Sequence, residues 1–256
     1  MPTLWRNRRL IQSMTRREIL ARHRGSFGGS LWTFLNPLLL MATYFYVFGI
    51  VLQQKFAGDP SREGYVLYFV AGLLPWLPFS EAVGRAPFVI LEYRSFVKKL
   101  VFPLEILPVV LVVAGLVTEV AALVIYMAGL AAARHSLPAT ILWLPVLLIP
   151  QLLLTAGLAW FLAALGVFFR DLGQVMGFLL TLWYFLTPIC YDERALHQGL
   201  AANPLYVLVR GYRSIFLEHH PPDWRPLGIL WVGSAAIAIL GYLWFRRLRR
   251  TFADVI

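Results

Sequence analysis

ILPVVLVVAGLVTEVAALVIYMAGL, residues Ile106 to Leu130, holds a single ionisable carboxylate, Glu119, in an otherwise apolar run. A helix needs about 20 such residues to cross a hydrocarbon core about 30 Å thick, so the stretch predicts a membrane span. Five further blocks read the same way: Leu31 to Leu52, Gly64 to Val83, Ile141 to Phe169, Val175 to Tyr191 and Leu227 to Phe245. The expected fold class is an all-α polytopic membrane protein with six transmembrane helices. The block from Gly64 to Val83 is the least regular, because Pro75, Pro78 and Glu81 interrupt it and a proline removes a helix hydrogen bond that something else must supply.

Composition points the same way. Of the 256 residues, 59% are hydrophobic and 14% charged, with a mean hydropathy of +0.69, where a soluble domain carries about a quarter of its residues charged. The net charge of +10 does not indicate nucleic acid, since a nucleic-acid binder shows a basic stripe on a polar domain. Here the arginines sit at the ends of apolar blocks, which is a topology signal. The single cysteine, Cys190, excludes an intrachain disulfide, and no Cys/His spacing resembles a zinc site; His219-His220 reads as a solvated loop pair.

Six spans place both termini on one side. Arg6, Arg8, Arg9, Arg16, Arg17, Arg22 and Arg24 lie before the first block, and Arg246, Arg247, Arg249 and Arg250 after the last. Both termini are therefore expected in the cytoplasm, as are Arg85, Arg94, Lys98 and Lys99 after the second block and Arg170 after the fourth. The first apolar block is too long for a signal-peptide core and no small-residue cleavage site follows it, so it is expected to remain as a span. Leu4, Trp5, Leu10, Ile11, Met14, Ile19 and Leu20 recur among the N-terminal arginines, the pattern of a basic amphipathic helix lying along the membrane surface. The expected organisation is a cytoplasmic interface helix over residues 1–30 and a six-span domain over 31–256, with a cytoplasmic loop at 84–103. The segment 192–226 is long for a structureless connection. Its broken apolar run predicts an outer re-entrant or interfacial hairpin, with Arg210 and Arg213 near the headgroups.

Catalytic signatures are missing from the sequence. There is no G-x-x-x-x-G-K-[ST] phosphate loop, no H-E-x-x-H and no G-x-S-x-G, and no acidic pair within a span that would hold a metal against a lipid phosphate. Gly28-Gly29-Ser30 reads as a flexible lead into the first span. Glu119 must face protein or water, because an ionised side chain in hydrocarbon costs several kcal/mol unless paired. Two readings stand for it: substrate contact or gating, and a structural bond to a neighbouring helix.

Four segments carry a family likeness: TRREILARHRGSFGGSLWTFLNPLLL from Thr15 to Leu40; VKKLVFPLEILP from Val97 to Pro108; VFFRDLGQ from Val167 to Gln174 with WYFLTPICY from Trp183 to Tyr191; and NPLYVLVRGYRSIFL from Asn203 to Leu217. In their order and spacing the chain resembles the permease subunits of type-2 ABC exporters for O-antigen, capsular polysaccharide and teichoic acid. The resemblance implies a non-enzymatic pore in the bacterial inner membrane, formed by a homodimer. Two copies of a separate ATPase subunit would dock on its cytoplasmic face and bind ATP and Mg, with no cofactor on this chain. The substrate implied is a lipid-linked polysaccharide, with membrane lipids as surroundings and no nucleic acid as a partner. A permease for a drug or lipid, a membrane enzyme of envelope synthesis and a secondary transporter are the competing classes; the enzyme lacks a catalytic constellation and the secondary transporter lacks visible inverted repeats.

Within that resemblance, the loop at 84–103 holds the helix that couples to the ATPase, with Glu92, Arg94, Phe96 and Lys98 as contacts. Arg170 and Asp171 in the VFFRDLGQ turn form the second contact. Charge mixed with aromatics suits a protein interface. The substrate channel is placed on the first and fifth blocks, at Tyr44, Phe48, Trp183, Tyr184 and Tyr191, with Glu119 as a further channel candidate. Aromatics normally gather at the two membrane interfaces, and those of the fifth block lie nearer the middle, where a hydroxyl or indole N–H needs a partner that a passing glycan would supply.

Overall fold

A computed structural model describes residues 2–22, 29–51, 62–94, 102–191 and 202–255, and among these it is helical with no strand. Two N-terminal helices, α1 (Pro2–Arg6) and α2 (Arg8–Arg22), precede α3 (Trp32–Tyr44), which continues as a π-helical segment, Phe45–Val51. Then come α4 (Arg62–Glu92), α5 (Ile106–Arg134), α6 (Leu144–Phe168), α7 (Leu172–Leu186) and α8 (Pro204–Arg213), the last running into a π-helical turn, Ser214–Glu218. Helices α9 (Trp224–Leu248) and α10 (Phe252–Val255) complete the chain.

Among the described residues, four stretches are long and apolar enough to cross a membrane: Glu63–Glu92, Ile106–Arg134, Ala139–Phe168 and Trp224–Thr251. Two further apolar helices, Phe34–Val47 and Leu172–Leu186, are shorter. The fifth block was expected to run to Tyr191, but α7 stops at Leu186, and Thr187 is extended (φ −104°, ψ 126°). Pro188 is the cause, since proline disfavours helical geometry in the residue before it. At about 1.5 Å per residue, α7 alone is about 22 Å long, short of the hydrocarbon thickness.

The proline-rich block gives the most enclosed helix of the fold. Helix α4 runs unbroken through Pro75, Pro78 and Pro87, and most of its apolar window is buried among its neighbours. Two glycines receive it. A Cβ on Gly115 of α5 would meet the Pro78 carbonyl at 3.2 Å, and one on Gly166 of α6 would lie 2.0 Å from the Pro87 carbonyl. A helix that lacks N–H groups at its prolines is thus closely packed at those prolines, where facing glycines make room for it. Its length also corrects the expected loop at 84–103: residues 84–92 are the last turns of α4, because the apolar periodicity of Ala86, Val89 and Ile90 carries the buried face onward.

Helices α6 and α9 approach until their backbones touch. A Cβ on Gly157 would lie 2.5 Å from the Ile237 carbonyl oxygen, and one on Gly241 would lie 2.1 Å from that of Gly157. Such small-residue crossings maximise van der Waals contact where lipid removes the hydrophobic drive for helix association. Helix α2 packs by one face, with Ile11, Met14, Thr15 and Glu18 turned inward and Arg8, Arg9, Arg16 and Arg17 outward. Their i, i+3, i+4, i+7 spacing is that of an amphipathic helix.

Gly241→Leu is expected to force α9 off α6 at a cost of about 1–3 kcal/mol or more. The check is the melting temperature of the purified protein in detergent, which should fall by several degrees, with Gly233→Leu as the control because a Cβ there meets nothing.

Candidate functional site: the aromatic cluster, the buried polar ties and the basic face

Three of the channel candidates converge beside α4. Tyr44 of α3 packs edge-on against Phe69 (centroids 4.4 Å). Tyr184 of α7 lies 5.3 Å from Trp76, and its hydroxyl sits 2.7 Å from Cys190 Sγ. Trp183 stacks edge-on against Phe79 at 5.3 Å and donates its indole N–H to Asn203 Oδ1 at 3.0 Å. Asn203 in turn donates to Thr187 Oγ1 and caps α8 by accepting from the Leu205 N–H. Tyr191 stands apart from this cluster through its hydroxyl, which donates to the Phe185 carbonyl at 2.7 Å. Phe48 lies in the π-helical segment, and its side chain is outside the described residues. The polar tips that a glycan was expected to satisfy already have protein partners, so the aromatic rings rather than the hydroxyls are what the cluster offers.

Glu119 is fully buried (0% exposed). Gln151 of α6 donates its Nε2 to both carboxylate oxygens at 3.0 Å, and the Tyr212 hydroxyl of α8 donates to Oε1 at 2.6 Å. The carboxylate therefore ties α5, α6 and α8 together, as the second of the two readings describes. Gln151 is the polar interruption of its own apolar block, and pairing the two interruptions across neighbouring spans was the available signal. Tyr212 had no comparable signal, since it sits between Gly211 and Arg213 on a segment whose apolar run is already broken by charge.

Arg213 corrects an expectation. It was placed near the headgroups, yet only 1% of it is exposed. Its guanidinium donates from Nε to the Tyr68 carbonyl (3.2 Å), from Nη1 to the Tyr68 hydroxyl (2.8 Å) and from Nη2 to the Ile189 carbonyl (3.0 Å), and lies over the Tyr68 ring at 3.4 Å. Gly72 makes the room, because a Cβ there would stand 2.9 Å from Nη2. Carbonyls and a ring face replace water around the cation. Arg210, one turn earlier, does reach the surface and pairs with Glu218 at 2.6 Å.

On the basic face, Glu18 of α2 is buried and bonded to Arg85 of α4, which also reaches Glu92 at 3.2 Å; the Tyr93 hydroxyl donates to Glu18 at 3.4 Å. Burial, with Glu18 close by, pushes the Tyr93 hydroxyl above its ordinary range. A second pair, Arg249 with Glu105 at 2.6 Å, ties the C-terminal end to the start of α5. Of the expected coupling residues, Glu92 joins the first network, Arg94 is exposed, and Arg170 and Asp171 are exposed in the turn between α6 and α7. Phe96 and Lys98 lie outside the described residues.

Apolar helices locked by buried polar ties define a polytopic α-helical membrane protein. The chain belongs to the ABC-2 type transporter family, whose model matches residues 9–217, and is thus a transporter's membrane subunit. It is 38% identical, over 99% of its length and 97% of the relative's, to the "O-antigen export system permease protein RfbA" of Myxococcus xanthus. A protein of the same name from Klebsiella pneumoniae is 25% identical over 96% of this chain and 95% of its own.

Tyr212→Phe and Gln151→Leu each leave the Glu119 carboxylate short of a donor. Each is expected to cost about 1–3 kcal/mol, and the double variant less than their sum, since both serve one carboxylate. Thermal unfolding in detergent measures this; strict additivity would separate the two side chains.

Proposed function

We propose that the chain is the permease subunit of an ATP-driven exporter that moves a lipid-linked polysaccharide of the O-antigen class across the bacterial inner membrane. The observation that carries this is end-to-end similarity to a protein named as an O-antigen export permease, in a chain with no phosphate loop of its own. Two copies form the pore and each docks a cytoplasmic ATPase subunit, which binds ATP and Mg. The four long helices, with α3 and its π-helical extension as first span and α7 as fifth, make six spans with both termini in the cytoplasm. In support, α8 reaches Glu119 midway along α5 through Tyr212, as a re-entrant outer hairpin must do to bury its own polar groups.

The cytoplasmic end of α4 then carries the coupling segment, with Glu92, Arg94, Phe96 and Lys98 against the ATPase and Arg170 and Asp171 as the second contact. Because Arg85 bridges Glu92 to Glu18, a push on that segment reaches α2 as well. The glycan path runs by Tyr44, Phe48, Trp183, Tyr184 and Tyr191. Sugar rings present apolar faces that lie on aromatic rings, and a series of shallow ring contacts permits sliding, since conduction needs sites weak enough to leave. Glu119 holds the path's wall together.

Three measurements test this reading. The purified chain alone should show no ATP hydrolysis, and Phe96→Ala should reduce copurification with the partner ATPase subunit. In a deletion strain, wild-type protein should restore surface polysaccharide, while Tyr44→Leu/Tyr184→Leu, inserted at normal abundance, should restore it at least about tenfold less well, equivalent to about 1.4 kcal/mol in the transport barrier. Full export by the double variant removes these residues from the path, and surface polysaccharide unchanged in the deletion strain overturns the function.

A further inference from the structure

Between α2 and α5 lies a groove of about 470 Å³, with Ile11, Ile19, Val113 and Val117 as its apolar walls and Arg8 and Arg16 at its rim. Thr15 also lines it, and although the residue is only 5% exposed, its Oγ1 has no hydrogen-bond partner among the described residues. A buried hydroxyl left without a partner is destabilising, so an occupant with an acceptor at that level is favoured. Such a helix interior usually turns a threonine hydroxyl back to a carbonyl one turn earlier, as Thr43, Thr155 and Thr181 do in this chain. Thr15 does not.

The dimensions and charges of the groove specify its occupant. Val113 and Val117 stand about 10 and 16 Å along α5 from Ile106, at about 1.5 Å per residue, so the apolar wall is as deep as one leaflet, half of a core about 30 Å thick. Arg8 and Arg16 are two turns apart on the exposed side of α2. Arg8 is only loosely engaged, 5.3 Å over the Trp5 ring and 3.5 Å from the Trp5 carbonyl, and Arg16 has no ion pair among the described residues. A phosphate at the rim, an ester carbonyl at the depth of Thr15 and an acyl chain against Val113 and Val117 match the three levels of the groove. The geometry points to a binding site for one anionic glycerophospholipid between α2 and α5, in the leaflet on the N-terminal side. A phospholipid seated there cements the amphipathic helix to the bundle beside the Glu18 and Arg85 tie. The site requires only that α5 spans the bilayer and stands independently of what the protein exports.

Native mass spectrometry of the delipidated protein, titrated with palmitoyl-oleoyl phosphatidylglycerol or phosphatidylcholine, tests the assignment. One phosphatidylglycerol per chain should bind about tenfold more tightly than phosphatidylcholine, the difference one charge-assisted hydrogen bond gives. Arg8→Gln/Arg16→Gln, on the exposed rim where folding is not at stake, should erase that preference while leaving phosphatidylcholine binding unchanged. Thr15→Val should weaken the ester lipid severalfold and leave an ether-linked analogue unaffected. Val117→Trp should abolish binding of both lipids. Equal affinity for the two headgroups in the wild type overturns the proposal, as does undiminished phosphatidylglycerol binding by the double-arginine variant. Tighter binding of farnesyl diphosphate than of phosphatidylglycerol would reassign the groove to an isoprenoid diphosphate, and disulfide cross-linking between two copies of a Val117→Cys protein would reassign it to a subunit interface.

Discussion

Arg213 brings a guanidinium into the interior of a largely apolar bundle, and the arrangement of the elements around α8 follows from the need to satisfy it. In hydrocarbon no water completes an open hydrogen bond, and a cation there costs about 3 kcal/mol even when it can partly relax. Here the Tyr68 carbonyl and hydroxyl and the Ile189 carbonyl accept from it, and Gly72 leaves space for it. These partners come from α4 and from the turn after α7, so meeting the need of one side chain of α8 joins three elements. The neighbouring Tyr212 repeats the logic with opposite charge, closing on Glu119 and Gln151. Adjacent residues of one short helix thus anchor it to α4 on one side and to α5 and α6 on the other.

Helix α4 is the body around which these ties are made. Its three prolines would weaken an isolated span, yet each lies in the part of the helix most enclosed by protein, and Gly115 and Gly166 bring neighbouring backbones against the carbonyls of two of them. Packing therefore makes up for missing hydrogen bonds. The same helix carries ring contacts to Tyr44, Tyr184 and Trp183 and, at its far end, Arg85, so the aromatic cluster and the basic face are mounted on one continuous rod.

The basic face has a different character. Its ion pairs, Glu18 with Arg85 and Arg249 with Glu105, each combine a buried carboxylate with a partly exposed arginine. Breaking either pair strands a buried charge, which costs far more than losing a surface contact. They hold the N-terminal helix and the C-terminal end against the same side of the bundle, beside the groove between α2 and α5.

The amino-acid sequence by itself determined the class of protein and the existence of the apolar helices, because block hydropathy and the clustering of arginines at block ends are local properties of the chain. The same holds for the amphipathic N-terminal helix, whose periodicity is visible in seven apolar residues spaced among arginines. What only the tertiary structure decided is where each polar residue inside those blocks ends up. The partners that Glu119 bonds, Gln151 and Tyr212, are both distant in sequence, and only the packed bundle brings them to it. Arg213 passed for a headgroup anchor because a single arginine on an amphipathic helix looks alike facing lipid phosphate or a neighbour's carbonyls; burial differs between the two, and burial is a property of the assembled bundle. The reach of α4 past its prolines and the early end of α7 divide along the same line. A proline's effect on the residue before it is local, whereas tolerance of a proline within a span depends on which glycine of which other helix stands opposite it.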